Sequence, residues 1–196
     1  MKSFPIWKKS RALEFSLLGN KKEFSRGKMR KKTKKRKISL YAIQNREKQK
    51  LRLLYGLKEK QLKNIFLDLQ KKKGDIHQHL LTRLESRLDN LVFRSGLVNT
   101  RRFARQWVGH GHFLVNGKKI NKPNCLIKPG STISLREKMR NNELIKQQIQ
   151  QNIKTPTYLE VDKEKLNIVY SRYPSLEETE KEINVASVVE WYNKRI

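Results

Sequence analysis

Acidic residues are scarce in this chain. Its 196 residues carry 18 Asp and Glu against 46 Lys and Arg, a formal net charge of +28 at pH 7. Such a surface repels itself unless a polyanion neutralises it. Nucleic acid does so with the added gain of counterion release, and an anionic membrane surface is the rival. Apolar residues are also few, 36% by count, below the roughly 45–50% of an average globular chain. A lean core argues against a free-standing metabolic enzyme with a large apolar pocket. Cys125 is the only cysteine, which excludes an intramolecular disulfide and a cysteine zinc cluster and fits a reducing compartment. No stretch approaches the ~18 consecutive apolar residues of a membrane-spanning helix, and the first thirty residues lack the apolar segment of a secretory signal. Phosphate-cradling glycine patterns, the GxSxG elbow and HExxH are all missing. Neither catalysis nor a cofactor or metal is expected, and no membrane partner.

What is present is unevenly placed charge. Residues 1–40 hold 15 Lys and Arg against 2 acids, and residues 41–156 hold 25 against 8. Residues 157–196 reverse the balance, with 6 against 8. A nucleic-acid footprint is therefore expected over the first four-fifths, and packing or contact with a basic protein over the last fifth. The densest run, Lys28 to Lys37, is basic at eight of ten positions. It includes Lys28, Arg30, Lys31, Lys34, Lys35 and Arg36, candidates for phosphate contact; a solvated tail or a localisation tag is the alternative.

Two helical patterns follow. Leu40, Ile43, Leu51 and Leu54 form a loose apolar stripe, and Leu62, Ile65, Phe66 and Leu69 fall at the spacing of one helix face. Arg46, Lys48, Lys50, Arg52, Lys60 and Lys63 lie off these stripes, and a small helical domain over 41–79 is expected. Trp7, Tyr41 and Tyr55 are of a type that stacks on bases, but burial between helices is the favoured expectation for each.

The stretch 80–140 is the most informative. Leu80, Leu84, Leu88, Leu91 and Val92 predict one helix ending before Ser95-Gly96, with Arg83, Arg87 and Arg94 on its polar side. Thr100 reads as the N-cap of a second helix, with Phe103, Ala104, Trp107 and Val108 buried. Arg101, Arg102 and Arg105 share the exposed side near the helix start, a suitable arrangement for phosphate. Phe113-Leu114-Val115 runs into Asn116-Gly117, a strong two-residue hairpin signal, with Lys118 and Lys119 at the tip. Cys125-Leu126-Ile127 and Thr132 to Leu135 read as further strands around a Pro129-Gly130 turn. Beyond Arg136, Leu144, Ile145 and Ile149 mark a polar helix. An irregular stretch spans Thr155 to Pro174. Ile183, Ala186, Val189 and Tyr192 mark a closing helix that packs on the N-terminal helices. The expected fold class is α+β: a small helical domain (41–79, with the C-terminal helix about 183–193), an RNA-binding module of two helices and a small curled set of strands (80–140), a basic extension (1–40) and a helix with an irregular segment (141–182).

His110-Gly111-His112, His77-Gln78-His79 and Cys125 raise the question of a metal. Two histidines spaced this way do not close a tetrahedral site, and no acid or cysteine follows at ligand spacing. They read as turn or RNA-facing polar residues. Glu85 and Asp89 lie one helical turn apart, and ion pairing with Arg83, Arg87 or a neighbouring helix explains them better than acid–base chemistry.

Leu84-Glu85-Ser86-Arg87-Leu88-Asp89-Asn90, Thr100-Arg101-Arg102-Phe103-Ala104-Arg105-Gln106 and His110-Gly111-His112-Phe113-Leu114-Val115-Asn116-Gly117 closely resemble the bacterial-type small-subunit ribosomal protein four family (uS-four). Some pseudouridine synthases and a tyrosyl-tRNA synthetase share the module but add a catalytic domain for which this chain has no room. The resemblance extends to Trp7-Lys8-Lys9-Ser10-Arg11, to Arg46 through Arg52 with Tyr55-Gly56 and Glu59-Lys60-Gln61, to Pro156 through Asp162, and to Ile183 through Tyr192. It covers nearly the whole chain in order and implies that residues 1–40, whose composition alone would also suit a transit peptide, belong to the mature protein. One departure stands out: the family's common Pro-Gly-Gln-His-Gly loop is replaced by the Lys28–Lys37 run. The N-terminal cysteines that bind zinc in some relatives are also missing.

The resemblance implies a primary binder of the five-prime domain of small-subunit rRNA that nucleates assembly of the body. It implies a position near where mRNA enters, and contact with small-subunit protein five at an interface tied to decoding fidelity. It places the protein on the ribosome, of a bacterium or an organelle. RNA contacts are expected on two faces. One comprises Arg83, Arg87, Arg101, Arg102, Arg105, Lys118 and Lys119, with Gln106, His110, His112 and Asn116 as polar contacts. The other comprises Lys8, Lys9, Arg11, Arg46, Lys50 and Arg52. A free RNA chaperone or RNA-modification factor built on the same module is the alternative.

Overall fold

The computed structural model describes residues 5–18, 24, 38–140, 155–162, 165–179 and 183–195. The Lys28–Lys37 run and the helix expected around Leu144, Ile145 and Ile149 lie outside the described residues. The chain forms two compact units, residues 1–77 with 182–196, and residues 78–181.

The first unit is helical: α1 (Ile6–Leu13), α2 (Leu40–Leu54), α3 (Glu59–Gln70) and, from the other end of the chain, the C-terminal helix Val185–Asn193. Ser39 caps α2 by accepting the Ala42 N–H at 3.3 Å, and Gln61 accepts the Lys58 N–H ahead of α3 at 3.0 Å. Leu51, Leu54, Leu62, Phe66 and Leu69 are buried with Val188, Val189 and Tyr192 of the C-terminal helix, and Phe66 stacks on Tyr192 with ring centroids 4.8 Å apart. The closing helix thus packs against the N-terminal helices, as its apolar spacing predicts.

The start of α2 departs from expectation. Leu40 and Ile43 are exposed, while Gln44, Glu47 and Lys48 are buried. The face covered by the C-terminal helix is polar in its first half because its partners there are polar. Gln44 donates to Glu190 at 2.7 Å, and Glu47 accepts the Asn184 N–H at 2.9 Å. Lys48 donates to Glu59 at 2.5 Å with its ammonium over the Trp191 ring. Lys48 is therefore not a surface cation. Of the three aromatics expected to be buried, only Tyr55 is; Trp7 and Tyr41 are exposed.

The second unit combines α4 (Ile76–Glu85), α5 (Leu88–Arg94), α6 (Arg101–Gly109) and a one-turn α7 (Glu137–Arg140) with strands β1 (Phe113–Val115), β2 (Lys118–Lys119), β3 (Ser131–Leu135), β4 (Leu159–Asp162) and β5 (Asn167–Tyr170). The five strands pair antiparallel in the order β2-β1-β3-β5-β4. The register Val115↔Ile133↔Ile168↔Val161 carries an apolar row across the sheet. Alternation puts Ser131, Ile133 and Leu135 of β3 on the buried face, where Ile133 and Leu135 join Leu88, Leu91, Ala104, Trp107, Val108 and Phe113 in one core.

Three expectations are corrected. The helix predicted over 80–92 is two helices, broken where Arg87 turns extended (φ −73°, ψ 139°). Cys125–Ile127 is no regular strand but a single bridge, Arg87↔Leu126. These share one cause: the Leu88 N–H donates to Cys125 O and the Ile127 N–H to Ser86 O, each at 2.9 Å. The later segment thus takes backbone groups that a continuous helix would satisfy internally. The stretch from Thr155 to Pro174, expected to be irregular, contributes the β4–β5 pair. Its alternating Leu159/Val161 and Ile168/Tyr170 are short but have the period of two that strands need.

Candidate nucleic-acid interface

Three arginines of the second unit, Arg87, Arg94 and Arg105, are held by two buried acids. Glu85, wholly buried, accepts from Asn90 Nδ2 at 2.6 Å, Arg94 Nη2 at 3.0 Å and Tyr158 Oη at 3.1 Å. Burial, with the Glu85 charge second, pushes the Tyr158 phenol far above its usual range, so it stays a donor. Asp89 accepts two bonds from Arg87, Nε at 3.0 Å and Nη2 at 2.6 Å, and meets Arg105 Nη1 at 3.5 Å. The sequence pair Glu85/Asp89 is thus structural.

This arrangement sorts the predicted contacts. Arg87 is 3% exposed and committed to Asp89, so its placement on an exposed polar side is corrected: the helix break at Ser86-Arg87 turns it inward. Arg83 is half-buried on α4. On α6 the Thr100 hydroxyl accepts the Phe103 N–H at 3.2 Å, as a cap. Arg101 donates to Asn90 Oδ1 at 3.0 Å and lies over the Phe93 ring, 4.4 Å from Cζ to centroid. Arg101 and Arg105, four apart, are thereby held half-buried against α5, whereas Arg102 and Gln106, also four apart, are exposed and continue to exposed His110.

The hairpin supplies the next cations. Asn116 (φ +49°) and Gly117 (φ +77°) form the β1–β2 turn, which needs positive φ at both central positions. Asn116 Oδ1 accepts the Thr132 N–H at 2.9 Å, fastening the turn to β3. Lys118 and Lys119 are exposed beyond it. The Lys119 stem crosses Gly111, where an added Cβ would sit 2.4 Å from Lys119 Cε and where φ is +70°. His112 packs edge-on to Trp107 and His110, centroids 5.7 and 5.6 Å away. Burial, then the neighbouring His110, Arg136 and Lys119, lowers its pKa, so its imidazole is neutral at physiological pH.

Sequence reasoning passed over further cations of this unit. Arg136 follows β3, and its N–H donates to His112 O at 2.9 Å. The β1–β3 pairing brings it there, and no local pattern announces it. Lys122, Lys128, Lys138 and Arg140 are exposed on the segments around the strands; their charge was countable, but their placement depends on the sheet order.

In the first unit, Lys8, Lys9 and Arg11 are exposed on α1. Arg46 ties the end of that helix to α2 through Leu13 O at 3.3 Å and Glu14 Oε2 at 3.0 Å. Lys50 pairs with Glu47 at 2.7 Å; Arg52 donates to Gln49 at 2.6 and 3.0 Å and lies 3.5 Å from Glu59. Lys28, Arg30, Lys31, Lys34, Lys35 and Arg36 lie outside the described residues.

A capped arginine helix running into a basic hairpin, with Glu85 and Asp89 buried beneath it, is an arrangement for anionic polymer. Residues 86–133 match the family model described as S4 domain, and residues 2–85 match the ribosomal protein S4/S9 N-terminal domain. Together these make the chain an RNA-binding ribosomal protein. Whole-chain relatives specify which. The chain is 45% identical over 194 residues to the small ribosomal subunit protein uS4 of Shouchella clausii, covering 97% of both chains, and equally so to that of a Geobacillus species. It is 44% identical over 199 residues to the uS4 of Mesoplasma florum, covering 97% of this chain and 96% of the other. The chain belongs to the small ribosomal subunit protein uS4 family. It is a structural, non-enzymatic constituent of the small ribosomal subunit. Among the described residues no helix is long and apolar enough to cross a membrane.

Proposed function

We propose that this protein is a primary binder of the five-prime domain of small-subunit rRNA that nucleates assembly of the body by clamping a folded RNA junction. The carrying observation is the α6–hairpin surface: Arg102, Gln106, His110, Asn116, Lys118 and Lys119 are exposed or at the turn, on elements fixed by a helix cap, a tight turn and a shared core. Rigid cations at set spacing recognise RNA by shape through its phosphates. Arg101 and Arg105 contribute what their inner bonds leave exposed, and Arg83 contributes from α4. The first unit adds Lys8, Lys9, Arg11, Arg46, Lys50 and Arg52 as a second face. The Arg46–Glu14 and Arg52–Glu59 pairs are partly exposed and weak enough to exchange for phosphate. The Lys28–Lys37 run serves the mRNA where it enters. Contact with small-subunit protein five, and through it an influence on decoding fidelity, falls to the C-terminal fifth. That segment is nearly neutral and carries Tyr173 and Leu176 exposed beside exposed Glu177.

The test is the salt dependence of binding to a five-prime-domain rRNA fragment. Replacing Arg102, Lys118 and Lys119 together by Ala should lower the slope of log affinity against log salt by roughly two, since each phosphate contact contributes ~0.7–0.9. An unchanged slope would show that this face meets no phosphate.

A further inference from the structure

Tyr41, on the first turn of α2, is 48% exposed although one of its faces is already occupied. The Arg195 guanidinium lies over that ring with Cζ 4.4 Å from the centroid. The same guanidinium lies 4.7 Å from the Trp191 ring, and Lys48 Nζ sits over Trp191 at 3.5 Å. Lys48 is itself buried and anchored by Glu59. All four residues belong to the first unit. Rings and cations therefore alternate from a buried end at Lys48 to an open end at Tyr41.

We propose that Tyr41 is a nucleobase-stacking site, taking an unpaired base of the ribosomal RNA on the ring face that Arg195 leaves open. Any base presents a π surface, so such a site accepts a single-stranded or bulged nucleotide without reading its identity. The ring is already immobilised from behind by a planar cation, so stacking gives up little further side-chain freedom. The cation also draws on the ring's π density and adds positive potential where the nucleotide's phosphate arrives. Leu40 and Ile43, also exposed at the start of α2, add apolar surface to the same end of the helix. A protein partner would use the same apolar atoms, but the stacked guanidinium and the net charge of +28 favour an anionic one. This rests on the rRNA-binding reading.

The experiment uses the full-length protein and a five-prime-domain rRNA fragment. Tyr41→Phe and Tyr41→Trp should bind like wild type, whereas Tyr41→Leu should bind about tenfold more weakly, within the range of one lost base stack. The salt slope should be unchanged across the three, because no charge is removed. Ultraviolet crosslinking of assembled small subunits should leave a nucleotide adduct on the Tyr41 peptide. Tyr41→Leu binding as tightly as wild type, or a crosslink from Tyr41 to another protein instead of RNA, would overturn the proposal while leaving rRNA binding intact. Failure of the wild type to bind the fragment would instead overturn the parent reading, and this one with it.

Discussion

Arg87→Ala, set against Arg102→Ala, separates an arginine that builds the fold from one proposed to meet RNA. Arg87 sits at the helix break, 3% exposed, and its two bonds of 2.6 and 3.0 Å go to Asp89, which is also buried. Removing the guanidinium leaves a buried carboxylate whose remaining cation is Arg105 at 3.5 Å. Breaking a buried pair from one side destabilises by ~3–5 kcal/mol. Arg105 is partly exposed and already near, which puts the effect at the lower end, about 3 kcal/mol. For a unit of about this size each kcal/mol lowers Tm by roughly 4–8 °C, so its thermal transition should fall by more than about 10 °C. The salt slope of rRNA-fragment binding, measured where the variant is still folded, should not change. Arg102→Ala should do the reverse, keeping Tm and lowering the slope by just under one, as for a single phosphate contact. The double variant Arg87→Met with Asp89→Leu should regain most of the lost Tm, since no buried charge is left unpaired. An Arg87→Ala protein that melts with the wild type and loses a unit of slope would refute the reasoning.

Thr100→Ala should destabilise α6 by about 1 kcal/mol by leaving the Phe103 N–H without its side-chain acceptor, and Thr100→Ser should not; thermal melting of the two decides. Glu178 accepts from both terminal nitrogens of Arg172, from the Thr157 hydroxyl and from the Ser175 N–H and hydroxyl, and these donors, Arg172 foremost, hold its carboxyl well below the usual range. Folding thus favours the carboxylate: its contribution is complete above the ordinary pKa of 4.5 and is lost as pH falls from there toward the lowered folded value. Denaturant unfolding between about pH 6 and pH 3 should show a steeper loss for wild type than for Glu178→Gln; parallel curves would mean the clamp adds nothing.

Elements whose cause is local were legible. The Asn116-Gly117 turn is fixed by its own need for positive φ, the α6 cap by one hydroxyl three residues ahead of its donor, and the closing helix by the spacing of Val189 and Tyr192. The break at Ser86-Arg87 was not, because Leu80, Leu84, Leu88 and Leu91 keep helical spacing through it. What breaks the helix is backbone pairing with Cys125 and Ile127, far along the chain. That break also turned Arg87 inward, so the site residue was misplaced for the reason the helix was. The polar buried face of α2 was hidden likewise: Gln44, Glu47 and Lys48 look like surface residues until Glu190, Trp191 and Asn184 arrive from the other end.

The placement of the few acids explains which cations stay available. Between Asp89 and Glu137 the sequence holds no Asp or Glu and nine Lys and Arg. The two acids just before that span, Glu85 and Asp89, are buried at the α4–α5 corner and hold Arg94, Arg87 and Arg105 from within. Arg102 on α6 and Lys118 and Lys119 on the hairpin are exposed within that acid-free span, so the local potential there is positive. Placing these two carboxylates beneath an arginine helix fixes Arg87, Arg94 and Arg105 from within and leaves the exposed side of α6 free of acidic side chains from the helix itself. If the proposed α6 face meets RNA, adding an acid to its exposed side should harm binding more than removing one neutral contact, since it would supply internally a counter-charge that the RNA would otherwise provide.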